Sequence, residues 1–222
     1  VQNLLLSSQL LVLFSFWPIL SGNTYSPFIQ TSYIYGYNNS IAVAEVINAG
    51  KDQIAFSSFE TAVDKGYWQY SGSTSAPGRT GTKYYTLSSG NIQRLGLLKG
   101  KYTVSYWANT SATITGTNYT LVNQSTSTPI NGWTYYETTF SLSLDNSTLT
   151  ISGTANIDEL RLYPFDAMMT TSTYDPLVGK TSETDANHVT TYYEYDEFNR
   201  LKRVKDQYGN ILKQQVYHYK GQ

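Results

Sequence analysis

The chain has 222 residues, with 15 Lys plus Arg against 16 Asp plus Glu, a net charge of -1, and an aromatic set of 21 Tyr, 8 Phe and 4 Trp. It has no Cys, which excludes a disulfide scaffold, a thiolate nucleophile and Cys-ligated zinc or iron. Two His exclude a His-rich metal centre, and near-neutral charge argues against nucleic acid as a partner, since such proteins carry a basic patch or stripe. In chain order, segment 1–30 opens with an apolar run, Val1 to Leu20, that carries no charge. It reads either as a signal or anchor remnant or as a fragment end of a larger protein. No Lys or Arg precedes the run as a signal peptide needs, and Gln9 and several serines interrupt it short of a clean membrane span.

Residues 31–52 hold two short apolar or aromatic runs around Asn38-Asn39, and Val43, Glu45 and Ile47 alternate; a hairpin or linker is expected there. Residues 53–164 form the best-defined block. Runs such as KYTVSYWA, WTYYETTFSLS and STLTISG are rich in Tyr, Thr, Val and Ile, are separated by Gly, Asn and Ser, and show no sustained helical period. That pattern predicts an all-β, two-sheet sandwich. In KYTVSYWA, Tyr102, Val104 and Tyr106 face one way and Thr103, Ser105 and Trp107 the other. In STLTISG, Leu149 and Ile151 are assigned to the core.

Composition changes again in residues 165–222. The last 49 residues, Tyr174 to Gln222, hold 14 of the 31 charged residues together with a cluster of tyrosines. Tyr174-Asp175 recurs as Tyr195-Asp196, and Asp185 recurs as Asp206, both 21 residues on. Each unit reads as a β-hairpin in which Tyr packs across strands and Asp closes a turn by accepting backbone N–H groups. Asn187-His188 and Gly209-Asn210 stand where positive φ is favoured. A period of this size implies a laterally stacked array, and two units fall short of the three or so that such arrays need.

These residues carry a resemblance. YEYDEFNRL, with Tyr195, Asp196, Asn199, Arg200 and Leu201 in a Y-D-x-x-G-R-L pattern, resembles the YD repeats of RHS-family proteins of the Bacteroidetes type. Asn199 replaces the usual glycine, and Asn is the other residue at home in the left-handed region. The match covers about a quarter of the chain and marks Tyr174, Asp175, Tyr195, Asp196, Arg200 and Gly209 as repeat positions. It implies a secreted or cell-surface bacterial protein whose repeats spiral into a β-shell around cargo. The remaining repeat shell, in a longer chain or a neighbouring protein, would be the partner.

The sandwich block is similar to galactose-binding-like carbohydrate-binding modules, through Phe59-Glu60, Gly81-Thr82-Lys83-Tyr84 and Ile157-Asp158-Glu159-Leu160. The combined expectation is a jelly-roll or galactose-binding-like β-sandwich followed by incomplete YD-type hairpins. The second resemblance implies a structural calcium with Glu60 and Asp158 as ligands; the alternative is that both make ordinary hydrogen bonds. No other cofactor is expected. Glycan binding needs flat aromatics beside hydrogen-bonding side chains, and Trp68, Tyr70, Arg79, Trp107 and Trp133 are the candidates, each with a core role as its alternative.

No catalytic residue is assigned. Asp158 and Glu159 are adjacent and would point to opposite sides of a strand, and neither His188 nor His218 sits in a nucleophile motif. The sequence thus reads as a non-catalytic structural or interaction segment of a large RHS-repeat protein. A carbohydrate-binding module, or an accessory domain of an enzyme or polymorphic toxin, stands behind that reading.

Overall fold

The computed structural model describes residues 29–217; the apolar opening run lies outside them. The described residues form seventeen strands and two short 3-10 turns. The strands are β1 (Thr31–Gly36), β2 (Ile41–Ile47), β3 (Ala55–Ser57), β4 (Thr74–Ser75), β5 (Tyr84–Thr86) and β6 (Ile92–Leu97). They continue with β7 (Gly100–Ala108), β8 (Thr113–Gly116), β9 (Tyr119–Thr126), β10 (Thr134–Leu142), β11 (Ser147–Ser152) and β12 (Asn156–Pro164). The last five are β13 (Met168–Asp175), β14 (Gly179–Thr184), β15 (Thr190–Tyr195), β16 (Leu201–Lys205) and β17 (Ile211–Gln214). The expected all-β class is therefore what the chain adopts.

Three antiparallel sheets result. A central sheet runs β4-β5-β12-β7-β10-β9, with β3 also paired to β12, and a small sheet runs β6-β11-β8. The small sheet packs on one face of the central sheet through Ile92, Leu97, Leu149 and Ile151 against Tyr102, Val104, Phe140, Leu160 and Leu162. This is the sandwich core, and strict alternation builds it: β11 reads buried and half-buried by turns, with Leu149 and Ile151 inside.

The third sheet, β1-β2-β13-β14-β15-β16-β17, is the repeat sheet. Its β1–β2 hairpin comes from residues 31–47 and pairs with β13 through Met168↔Ile47 to Thr171↔Ala44. The sandwich is thus inserted between two neighbouring strands of one sheet. Ile34, Val46 and Met169 of the repeat sheet pack on Phe56 and Tyr163, which lie on the outer face of the central sheet. The central sheet is covered on both sides, which is why β7 and β12 are buried almost continuously instead of alternating.

The repeat hairpins share one turn. Asp185, Asp196 and Asp206 each accept, on Oδ1, the N–H groups two and four residues on, at 2.8 to 3.0 Å. The fourth residue of each turn donates its N–H back to the Asp carbonyl and takes positive φ: His188 at 64°, Asn199 at 59° and Gly209 at 91°. This is a type I turn closed by a left-handed bulge residue. Asp175 makes a variant of it: Oδ1 accepts from Leu177 N–H at 3.1 Å and the carbonyl from Val178 N–H at 3.0 Å, and the positive φ falls one residue later, at Gly179 with 147°. Turns therefore recur every 10 or 11 residues, half the 21-residue sequence period.

Tyrosine hydroxyls staple the hairpins. Tyr195 donates to the Lys180 carbonyl at 2.9 Å and Tyr217 to that of Leu201 at 2.9 Å. Tyr37 donates to the Tyr174 carbonyl at 2.7 Å and accepts from its N–H at 2.9 Å, binding the first hairpin to the repeat strands.

Candidate functional site

The chemistry of the molecule concentrates where the central and repeat sheets meet. Strand β12 delivers Asp158, Glu159 and Arg161 to that seam. Between Asp158 and Arg161 the register against β7 shifts, and Glu159 adopts φ 53°. This bulge overturns the expectation that the two carboxylates point to opposite sides of the strand. Both face the repeat sheet and share one neighbour, Thr80, whose hydroxyl lies 3.4 Å from Asp158 Oδ2 and 3.1 Å from Glu159 Oε1.

Arg161 is buried and satisfied by the opposite sheet. Its Nη2 pairs with Glu159 Oε2 at 3.0 Å and also contacts Thr171 Oγ1 and the Thr184 carbonyl, while Nη1 donates to the Asp185 carbonyl at 3.1 Å. Thr171 completes the set by donating to Glu159 Oε2 at 2.9 Å. A buried charge is tolerated only when paired and fully hydrogen-bonded, and Arg161 meets that condition by reaching from one sheet into the next.

The two carboxylates put forward for calcium act as anchors of one loop. Glu60 Oε1 accepts the N–H groups of Thr82 and Lys83 at 2.8 Å each, and Oε2 accepts the Thr82 hydroxyl at 2.8 Å. Asp158 Oδ2 accepts the N–H groups of Arg79 and Thr80 at 2.8 and 2.9 Å. Burial, with Glu159 beside it, pushes the Asp158 carboxyl well above the ordinary carboxylate range, against the opposing hydrogen bonds from Thr80 and Glu159. The described residues hold no group of three or more His, Asp or Glu side chains suited to a metal. Calcium takes six to eight oxygens, and these two carboxylates are already committed to different stretches of the 79–83 loop.

The loop so pinned presents Arg79 to the seam. Its guanidinium carbon sits over Trp107, 3.6 Å from the ring centroid, and Nη1 donates to Thr190 Oγ1 at 2.9 Å. Tyr192 of β15 donates to the Arg79 carbonyl at 3.0 Å. Next to Trp107 lies Tyr135, and His188 stacks on Tyr135 at 4.4 Å with Nε2 3.3 Å from Glu137 Oε2. Arg79, Trp107, Tyr135 and His188 thus form one ladder across the seam. The hydrogen bond from His188 holds the Glu137 carboxyl below its usual range.

Among the described residues, three buried side-chain atoms lack a hydrogen-bond partner: Arg79 Nη2, Ser105 Oγ and His188 Nδ1. All three belong to this seam. Ser105 stands near the hydroxyls of Tyr135 and Tyr163 without hydrogen-bond geometry to either. An unpaired buried polar group costs about 1–3 kcal/mol, so the seam concentrates unused hydrogen-bonding capacity.

A cleft of about 250 Å³ opens beside Arg79, lined also by Ile130, Asn131, Trp133, Tyr192 and Gln207. Asn131 and Gly132, at φ 50° and 83°, form the tight hairpin turn that holds Trp133 beside it. The glycan candidates therefore separate. Trp68 is core, 2% exposed, with Nε1 3.3 Å from the Leu160 carbonyl. Tyr70 packs edge-on to Phe59 and Tyr85, and Trp107 lies beneath Arg79. Only Arg79 and Trp133 of the five line this cleft.

The repeat positions Asp196 and Arg200 pair with each other, Nη2 to Oδ2 at 2.7 Å, and the Arg200 guanidinium lies 4.1 Å from the Tyr217 ring centroid. Sequence reasoning missed Thr80, Arg161, Tyr135, Tyr192 and Gln207 as members of the seam. Arg161 carried the one usable signal, a cation in the middle of the apolar run IDELRLYP. No protein-family model matches the chain, and no curated protein matches it.

Proposed function

We propose that this chain is a non-catalytic structural and interaction segment of a secreted or surface-exposed YD-repeat protein of the RHS kind, in which an inserted sandwich braces the repeat sheet. The observation that carries the reading is the recurrence of one Asp-closed turn at 185, 196 and 206, with a variant of it at 175, within a single antiparallel sheet. Side chains in these turns spend their charge on backbone N–H groups and neighbouring strands, as a scaffold requires. Further repeat strands of the same pattern would pair along β17, whose four residues are all exposed.

The test is to append one further unit, copied from residues 190–210, after Gln222 and to follow amide hydrogen exchange. Slowed exchange in β17 with a raised melting temperature is expected. Unchanged β17 exchange, or hydrolysis of any glycan or peptide by the chain, would reject the reading.

A further inference from the structure

We propose that the cleft between Lys65 and Lys83, formed by the β3–β4 connection and the residue that precedes β5, binds a tetrahedral oxyanion, phosphate or sulfate. The site draws on the sandwich block alone, so it neither needs nor extends the repeat-array reading.

The cleft has a volume of about 220 Å³ and is lined by Phe59, Thr61, Lys65, Tyr70, Thr74 and Lys83 among others. Its two ionised side chains are both lysines, and no carboxylate lines it. The Lys65 Nζ donates to the Tyr70 carbonyl and lies 4.9 Å from the Tyr70 ring centroid, against the cleft wall. The Lys83 Nζ donates to the Glu60 carbonyl at 3.1 Å, between the lining residues Phe59 and Thr61. Each ammonium thus spends one of its three N–H groups, and on a neutral acceptor. Among the described residues neither is paired with a carboxylate. Both lysines are half-buried, and a partly desolvated charge without a counterion favours an anion that replaces its water.

The two acidic residues of the connection are committed elsewhere. Glu60 closes on the backbone of Thr82 and Lys83 and on the Thr82 hydroxyl, and Asp64 Oδ2 accepts the Asn38 N–H at 2.8 Å. Neither lines the lysine cleft, and both border a separate cavity of about 20 Å³.

Two cations select a dianion. A carboxylate carries one charge and two coplanar oxygens, whereas phosphate and sulfate present oxygens in three dimensions and up to two charges. The exposed hydroxyls of Ser71 and Thr74 line the same cleft and have no hydrogen-bond partner among the described residues, so they can donate to the remaining oxygens.

The frame is set before a ligand arrives. Phe59 holds φ 61°, a left-handed backbone that a bulky residue keeps only where packing enforces it. Its ring stacks on Tyr85 at 5.3 Å and meets Tyr70 edge-on at 5.4 Å, and the Tyr70 hydroxyl lies 3.1 Å from Ser57 Oγ. Lys83 is fixed at its backbone N–H by Glu60 Oε1 at 2.8 Å. Binding to a frame already ordered loses less conformational freedom.

The experiment titrates the full chain with sodium phosphate and with sodium sulfate at fixed ionic strength, with acetate and chloride as controls. Binding is read by calorimetry and by thermal shift. Phosphate or sulfate is expected to bind with a Kd of about 1 mM or tighter and to raise the melting temperature, with acetate and chloride at least about tenfold weaker. Lys65→Met and Lys83→Met should each weaken binding about tenfold or more. Lys99→Met, at an exposed lysine outside the cleft, should leave it unchanged. Ser71→Ala combined with Thr74→Ala, both at exposed positions, serves in place of a lysine variant that fails to fold, and should weaken binding about three- to tenfold. Either oxyanion meeting these expectations supports the proposal and identifies which of the two is preferred. Failure of both to bind, acetate binding as tightly, or an equal loss in Lys99→Met would overturn it. Undiminished binding in the folded cleft variants would overturn it too.

Discussion

The two faces of the central sheet solve the same burial problem with opposite chemistry. Toward the small sheet, Tyr102, Val104, Phe140, Leu160 and Leu162 make a dry core. Toward the repeat sheet, the same strands present Thr103, Ser105, Trp107, Asp158, Glu159 and Arg161, all buried. The first face depends on area removed from water, which tolerates changes that conserve volume. The second depends on pairing, where the loss of one partner strands the others. A seam of that kind specifies how two sheets sit against each other more sharply than an apolar contact of equal size.

The contrast is open to breakage from both sides. Arg161→Ala leaves Glu159 buried without its cation, and a loss of about 3–5 kcal/mol is expected. Urea unfolding would measure it, and Arg161→Met combined with Glu159→Gln should recover much of the loss. A variant as stable as the parent would mean that the seam is not held by pairing. On the dry face, Leu149→Ala should cost about 2–5 kcal/mol through its cavity. Leu149→Met should stay within about 1.5 kcal/mol. The Arg161 position should show no such tolerance of near-isosteres.

The repeat turns give smaller effects. A Cβ at Gly179 would sit 2.8 Å from the Tyr195 hydroxyl, at φ 147°. Gly179→Ala should therefore lower stability by about 1–3 kcal/mol, and Tyr195→Phe by about 1 kcal/mol through loss of the Lys180 hydrogen bond. Asn199→Gly is expected to be near neutral, whereas Asn199→Ala should cost about 1–2 kcal/mol for its left-handed backbone. Equal melting temperatures for the two Asn199 variants would contradict the turn assignment.

Titration separates the two regions with the least amplitude. Glu194, Asp196 and Asp206 are held below their usual range by hydrogen bonds from Lys205, Arg200 and Asn210 respectively. Carboxyls of that kind stabilise the fold above their unfolded values, about 4, and lose the contribution as pH falls through the folded ones. Asp158 runs the other way. With a raised folded value, its contribution is complete below about pH 4 and is lost as pH rises through that folded value. In melting curves across pH, Asp158→Asn should therefore gain on the parent as pH rises. Disruption of the repeat turns, as in Asp206→Ala, should instead flatten the acid limb.

Much of the fold was legible because it is local. Strand runs, the hairpin around Asn38-Asn39, the alternation that buries Leu149 and Ile151, and the Asp-closed turns all depend on residues a few positions apart. The left-handed role of Asn199 could be read from its place in the repeat. What escaped were properties set by a second sheet. Trp107 stood between a glycan contact and a core role because alternation fixes direction and says nothing about what covers that side. Glu159 looked opposed to Asp158 because a left-handed residue inside a strand has no reliable signature when it is Glu. The cleft joins residues 79, 133, 192 and 207, which only the folded topology brings together.

Insertion of the sandwich between β2 and β13 has a kinetic consequence. Strands β13 to β17 pair with sequence neighbours and can zip from turn to turn, whereas the β2–β13 contact joins Ala44 to Thr171 across the whole intervening block. Closing so long a loop is entropically favourable only after its interior is compact. The β2–β13 pairing should therefore form last, and pulsed hydrogen exchange during refolding should find the amides that β2 and β13 bond to each other protected after those of β7 and β10.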